Sequence, residues 1–233
     1  MVKGHLTIII PCKNEEGYID KTLLSLNKQL GIDGTKVIIL DANSTDNTIK
    51  IIKEIKKKLK YEISIETGGN VSYARNKGVS LANTKYVLLL DADVTLVEND
   101  IIIKSIHEMF LGNELVTCKL KSRSGFPLSI GFILFNWVHK FLKEPFSIGA
   151  YFMTTKESFN KYGGFDETIK QSEDFILSKK YDRNKFKIIN RYITQDDRRF
   201  KKMGYWFYVK LLITNYIKKN DENHFRKEIN YFT

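Results

Sequence analysis

The sequence predicts an α/β fold on a mainly parallel sheet, and three observations carry that prediction. Short apolar runs (LTIII, KVIIL, KYVLLL) alternate with longer segments whose apolar residues recur every three or four positions, the pattern of successive βαβ units. Two of the runs end alike, in VIILDAN and VLLLDAD, so each delivers an aspartate to the carboxyl edge of the sheet. The chain has 233 residues, 42% hydrophobic and 28% charged, with no Pro-, Ser- or Gln-rich tract, which suits a self-supporting core.

The elements follow in order. LTIII (6–10) is the first strand, and Ile19, Leu23, Leu26 and Leu30 give residues 18–30 one apolar helical stripe. KVIIL (36–40) is the second strand. Asp46 is placed to cap the next helix, whose Ile49, Ile52, Ile55 and Leu59 align while Lys56–Lys58 face water. EISIE (62–66) is a weaker third strand, 72–82 a helix, KYVLLL (85–90) the fourth strand, 101–110 an amphipathic helix and LVTCKLKS (115–122) an alternating strand. In 126–146, Ile130, Ile133, Leu134, Trp137, Val138, Phe141 and Leu142 share a helical face, with Phe132 and Phe135 off it. So wide an apolar surface predicts an interior helix, with a helix lying on a membrane surface as the alternative; residues 205–219 pose the same choice.

Charge is uneven. Residues 179–233 hold 15 Lys and Arg against 6 Asp and Glu, which accounts for +9 of the net +11. Such a tail suits nucleic acid, anionic lipid or a phosphorylated substrate, or simply a solvated face. Cys12 and Cys118 have no CxxC spacing, so they are expected to be packing residues in a reducing compartment, without structural zinc. The opening apolar run is too short for a signal peptide, and no run reaches the roughly 20 residues of a spanning helix. The expectation is a cytoplasmic protein, peripheral to the cytoplasmic face of a membrane if the apolar helices lie outside the core.

The strand ends carry the chemistry. Asp91 and Asp93 are two apart, so on extended backbone both carboxylates face one ligand. Paired carboxylates in a cleft need a cation between them, and hard oxygen donors select Mg²⁺ or Mn²⁺, whose shell is completed by substrate phosphates. No P-loop and no G-x-G-x-x-G follows the first strand. Instead the loops read PCKNEEGYI, with Pro11, Asn14 and Glu15, then DANSTDNT, with Asp41, Ser44 and Asp46, and SYARNKG, with Arg75 and Asn76. These are polar loops suited to a base, a ribose and a diphosphate.

With these motifs in hand, the chain resembles glycosyltransferase family 2, inverting nucleotide-sugar enzymes of the GT-A fold. TIIIPCKNEEGYIDKTLLSL resembles the opening strand and P-x-x-N-E loop, VIILDANSTDNT the V-D-D-G-S-T-D segment, and ARNKGVSLANTKYVLLLDADV the helix leading into the metal-binding Asp-x-Asp. GAYFMTTKESFNKYGGFDE, with Gly163 and Gly164, resembles the acceptor-side segment, and QSEDFILSKKY the Glu-Asp motif of the catalytic base. The resemblance implies a three-layer α/β/α GT-A domain over 1–233: a nucleotide-sugar half (1–111), an acceptor half (112–203) and a basic, aromatic tail (204–233). It implies nucleotide contacts at Pro11, Asn14, Glu15, Asp41 and Ser44, and diphosphate contact at Arg75. Asp91 is implied at the ribose or metal, Asp93 as principal metal ligand, and Asp174, beside Glu173, as general base. DANSTD departs from the pattern by Ala42 and Asn43, and Q-x-x-R-W is absent. DDRRFKKMGYW resembles the Arg-Arg-Phe segment of small members that transfer one sugar, so Arg198 and Arg199 are candidates for phosphate oxygens, with a solvated basic turn as the alternative. The implied partners are a UDP- or GDP-sugar donor, a divalent cation, a glycan, lipid-linked or protein acceptor, and anionic membrane, with no nucleic acid expected. A basic nucleic-acid-binding protein and an inactive nucleotide-sugar-binding domain are the rival readings.

Overall fold

The computed structural model describes residues 4–123, 128–196, 198, 202 and 204–227. Four parallel strands form its first half: β1 (Leu6–Cys12), β2 (Lys36–Asp41), β3 (Glu62–Thr67) and β4 (Tyr86–Leu90). Between and after them run α1 (Ile19–Asn27), α2 (Thr48–Ile55), α3 (Val71–Leu81) and α4 (Ile101–Phe110), as the apolar periodicity predicts. The short β5 (Thr95–Leu96), β6 (Leu115–Ser122), β7 (Tyr151–Thr155) and β8 (Phe186–Gln195) complete an eight-stranded sheet of order β3-β2-β1-β4-β7-β6-β8-β5. β7 runs antiparallel to both β4 and β6, and β8 parallel to β6.

Alternation along the strands builds two cores. Leu6, Ile8 and Ile10 of β1 point to one side, with Leu88 and Leu90, and are covered by Ile19, Leu23 and Leu26 of α1 and by α4. Ile9, Ile38, Leu40, Val87 and Leu89 point to the other, against Ala74 and Val79 of α3 and, further along, Phe159 and Leu177. The result is three layers, helix on sheet on helix. Cys12 and Cys118 are buried free thiols of the first core.

Two predicted boundaries move for physical reasons. α1 stops at Asn27 rather than near Leu30, because the Leu30 N–H donates to Asn99 O (2.8 Å) and Gly31 turns with φ 74°. Asp46 lies one residue before the cap position but performs the capping, its Oδ1 accepting from Thr48 N (3.0 Å). Lys56–Lys58 face water in a 3-10 turn, as expected.

The apolar segment 126–146 is turned opposite to the interior-helix expectation. In α5 (Leu128–Val138) it is Phe132, Phe135 and Asn136 that face the protein, while Ile130, Ile133, Leu134, Trp137 and Phe141 are exposed. The Val138 side chain lies outside those described. Asn136 fixes this rotation: its amide donates to Leu120 O (2.7 Å) and accepts from Leu120 N (3.0 Å), pairing an edge of β6 that β7 leaves after Val116.

Gly78 of α3 lies so close to β1 that a Cβ would stand 2.3 Å from Ile9 Cγ2. Gly78→Ala should therefore destabilise the protein by about 1–3 kcal/mol through overpacking, although alanine gains about 1 kcal/mol in helix propensity. Denaturant melts check the sign, which propensity alone would reverse.

Candidate active site

Topology places the cleft. In the order β3-β2-β1-β4 the crossovers reverse direction between β1 and β4, and ligands bind at the carboxyl ends of strands at such a switch. β1 pairs β4 only as far as Ile9, so Pro11, which has no N–H to donate, falls where that side of the strand is open.

The first two loops are laced together on one wall. Asn14 and Asn43 adopt left-handed backbone (φ 53° and 56°), a conformation that asparagine tolerates better than most residues. Asn43 thereby supplies the turn for which glycine is the usual residue. Asn14 N donates to Ser44 Oγ (2.9 Å) and its Oδ1 accepts from Thr45 N (2.8 Å). Ser44 Oγ in turn donates to Asp41 Oδ1 (2.6 Å), holding that carboxylate at the end of β2. Glu15 accepts from Arg198 through Oε1 (2.6 Å), and its N–H is held by Thr48 Oγ1 (2.7 Å).

On the opposite wall Arg75 of α3 gathers the acidic motifs. Its guanidinium is 2% exposed and donates to Asp91 Oδ1 (2.8 Å) and Glu173 Oε1 (2.7 Å). It also lies 5.1 Å from the centre of the Phe165 ring. Burial works against its charge, but Asp91, Glu173 and Asp174 outweigh burial and hold its pKa above the ordinary value. Asp174 lies in the first turn of α7 (Glu173–Ser178), which follows Ser172, left-handed at φ 52°. Its Oδ2 accepts from Gly149 N (2.6 Å) and its Oδ1 from Phe175 N (2.8 Å). Burial first, then the Glu173 carboxylate, push its pKa up to about 7 against Arg75 and the two N–H groups. Between the unfolded value near 3.8 and about 7 the native state holds this proton more tightly, so the site lowers stability as pH rises through that window.

The profile described as Glycosyl transferase family 2 matches residues 7–163. The chain belongs to that family. A curated relative from Methanococcus voltae, named dolichyl N-acetyl-alpha-D-glucosaminyl phosphate 3-beta-D-2,3-diacetamido-2,3-dideoxy-beta-D-glucuronosyltransferase, is 31% identical over 194 residues. The match covers 77% of this chain and 60% of that protein, so this chain spans under two thirds of the relative's length. Among solved structures, mannosyltransferase PcManGT from Pyrobaculum calidifontis, in complex with GDP-Man and Mn²⁺, superposes with TM-score 0.68 at 21% identity, over 88% of this chain and 60% of that one. S. aureus TarS 1–349 with UDP-GlcNAc gives 0.63 at 23%, over 82% and 59%. The fold of this family-2 chain is GT-A.

Not every residue the family resemblance implies reaches the cleft. Gly163 and Gly164, with φ of 84° and 63°, terminate α6 (Lys156–Lys161). A Cβ on Gly163 would meet open space, whereas Gly164 lies against Phe159 and Asn76, and Asn76 is tied to Phe165 N (3.0 Å) and Phe165 O (2.9 Å). Arg75, expected at a diphosphate, instead spends both terminal nitrogens on Asp91 and Glu173. Arg198 is drawn in: besides Glu15, its guanidinium stands 3.7 Å from Asp93 and lies 4.6 Å from the Tyr18 ring centre. This replaces the solvated-turn reading for Arg198. Arg199 lies outside the described residues.

Sequence reasoning missed the supports. A Cβ on Gly149 would stand 2.8 Å from Arg75 Nη2 and 3.2 Å from Asp174 Oδ2, so a larger residue there would crowd both side chains. Behind Ser172, Asn215 of α8 (Tyr205–Ile217) donates to Ser172 Oγ (2.8 Å), and His224 of α9 (Glu222–Phe225) bonds Asn215 Oδ1 (2.7 Å). His224 is thus a brace for the tail. A glycine leading into an aromatic run and a lone asparagine in an apolar helix were the available signals.

The carboxylates fit a divalent cation of a particular kind. Among the described residues no three His, Cys, Asp or Glu side chains cluster as a metal cage. The extended backbone expected across Asp91 and Asp93 is not what forms: β4 ends at Leu90 and residues 91–94 close a turn, Val94 N donating to Asp91 O (3.3 Å). Asp93 is 5% exposed and Asp91 gives one oxygen to Arg75, so the protein offers few oxygens, the kind of donor set that Mg²⁺ or Mn²⁺ completes with phosphates and water.

Arg75→Gln should lower stability by about 3–5 kcal/mol, because it leaves Asp91, Glu173 and Asp174 packed together without their cation. The loss should be smaller near about pH 5 than about pH 8, since the stranded carboxylates take up protons more readily in the native state than in the unfolded chain. Unfolding curves at both pH values check the sign. Arg75→Lys should recover only part, one ammonium being unable to reach two carboxylates as a fork does.

Proposed function

We propose that this chain is a metal-assisted inverting glycosyltransferase, moving one sugar from a UDP- or GDP-sugar to an acceptor hydroxyl. The observation that carries the reading is the convergence of the donor-side Asp91 and the acceptor-side Glu173 on one guanidinium, with Asp174 beside them, in a family-2 domain. In this reading Asp41, Ser44, Asn14 and Pro11 line the nucleotide pocket. Asp93, with Asp91, would hold a Mg²⁺ or Mn²⁺, which would supply positive charge for the diphosphate leaving group. Glu15 positions Arg198, whose guanidinium adds charge for the phosphate oxygens.

Asp174 takes the proton of the acceptor hydroxyl as its oxygen bonds to the anomeric carbon, while the bond from that carbon to the nucleoside diphosphate breaks on the opposite face. A carboxyl group raised to about 7 is matched to this task, since a general base works best with a pKa near the operating pH. Glu173 raises that value and Arg75 restrains it. The named acceptor of the Methanococcus voltae relative is a dolichyl-linked sugar phosphate, which supports a lipid-linked glycan acceptor here.

Asp174→Asn should abolish transfer while preserving the rise in Tm that donor and Mn²⁺ produce by binding the native state. Full turnover by this variant would remove Asp174 as base. In the wild type, kcat/KM should fall below about pH 7 with unit slope.

Because the protein supplies few metal ligands, Mn²⁺ alone should bind weakly and UDP or GDP should tighten it, by calorimetry with each ligand separately and then together. Thermal shift across a panel of nucleotide sugars identifies the donor, and no shift with any of them would overturn the reading.

A further inference from the structure

We infer that α5 and α8 form a docking face for an anionic lipid bilayer, on which the domain lies without crossing it. This goes beyond the glycosyltransfer reading and stands independently of it. Both helices are inverted relative to an ordinary surface helix. α5 exposes Ile130, Ile133, Leu134 and Trp137, with Phe141 one turn further, all on one stripe at helical spacing. Trp137 is 60% exposed and Phe141 68%. α8 does the same with Trp206, Val209, Ile213 and Ile217, of which Trp206 is 84% and Ile217 75% exposed. The one amide of each helix is turned inward: Asn136 bonds β6, and the buried Asn215 bonds Ser172 and His224. These rotations are fixed by hydrogen bonds, so the outward apolar stripes are a consequence of the fold.

The segments that follow the two helices tie them together. Glu144, just beyond α5, accepts from Tyr216 (3.2 Å) and pairs with Lys219 at the far end of α8. Phe146, Phe175 and Tyr216 pack behind this junction. Apolar patches of this extent on a soluble surface mark a binding site.

Charge selects the occupant. Neither 128–141 nor 205–220 contains a single Asp or Glu, while the exposed Lys143, Lys210 and Lys218 lie at or beside the stripes. A basic apolar helix face with tryptophan is the composition that rests in the headgroup region of anionic membranes. A second copy of this chain would bring like charges together. No described helix is long and apolar enough to cross a membrane, so the contact is in the plane of the interface.

The chain's only two tryptophans, Trp137 and Trp206, both lie on these stripes, so tryptophan emission, excited selectively over tyrosine, reports on this face alone. Phosphatidylcholine vesicles containing phosphatidylglycerol should co-sediment with the protein and shift its emission to the blue, less so at raised salt and less with phosphatidylcholine alone. Brominated lipids should quench the emission. Trp206→Ser with Ile213→Ser, and separately Trp137→Ser with Phe141→Ser, should each weaken partitioning by about tenfold or more, with far-UV spectra unchanged. Should a variant fail to fold, brominated-lipid quenching of the wild type remains decisive. Emission that stays unshifted with every vesicle overturns the inference. So does a blue shift that grows with protein concentration without lipid and tracks a dimer in sedimentation velocity, which would assign the face to a second copy.

Discussion

A guanidinium taken out of water is the constraint on which this cleft depends. Removing an ion from solvent costs several kcal/mol even after relaxation, so Arg75 is tolerable at 2% exposure only while its carboxylates remain in place. Those carboxylates come from positions 16 and 98 residues away in sequence, one after β4 and one opening α7. The same contact that neutralises Arg75 therefore ties the two halves of the chain together, and neither wall can withdraw without stranding a charge. The cleft is shaped before any ligand arrives. The arrangement remains acidic overall, since Asp91, Asp93, Glu173, Asp174 and Glu15 outnumber Arg75 and Arg198. That acidic balance is local, in a chain whose total charge is strongly positive.

Asp174 shows how such a network sets the protonation of a buried carboxyl group. Alone among packed side chains a carboxyl group stays protonated, and beside a free guanidinium it ionises far below neutrality. Here Arg75 is already shared between Asp91 and Glu173, so Asp174 feels its charge at second hand while Gly149 N and Phe175 N supply the direct bonds. The balance leaves the group near neutrality at the cost of native stability, a trade common at functional sites. Gly149 serves that balance twice, bonding Asp174 through its N–H and leaving free the space in which a Cβ would crowd Arg75 and Asp174.

What was legible in the sequence follows a physical line. β1 to β4 and α1 to α4 are local units whose burial is written in their own periodicity, and the acidic motifs announce themselves by residue type. β7 and β8 do not: β7 is five residues of YFMTT buried on both faces, and β8 alternates irregularly because a register shift against β6 near Thr117 disturbs its pattern. Pairing in the order β4-β7-β6-β8 is decided between distant segments, and no window of the sequence contains it. The same holds in the site. Asp91 and Asp174 could be named from motifs, but Arg75's choice of carboxylates, the Asn76 seat on Phe165 and the brace from His224 through Asn215 to Ser172 are long-range contacts.

The apolar helices illustrate the limit of periodicity more sharply. A helix apolar nearly all round carries no moment that says which side meets the protein, so an interior position and a surface one read alike. The discriminating residue is the exception within the stripe. Asn136 and Asn215 are single amides in largely apolar helices, and a lone amide placed against lipid or packed hydrocarbon would lose its hydrogen bonds, whereas against a sheet edge or a turning loop it gains them. Each asparagine is therefore drawn to the protein, and the residues opposite are carried outward whatever their hydrophobicity. Read this way, the polar interruption marks the buried side of such a helix, and the uninterrupted stripe across from it marks the surface that must find another partner.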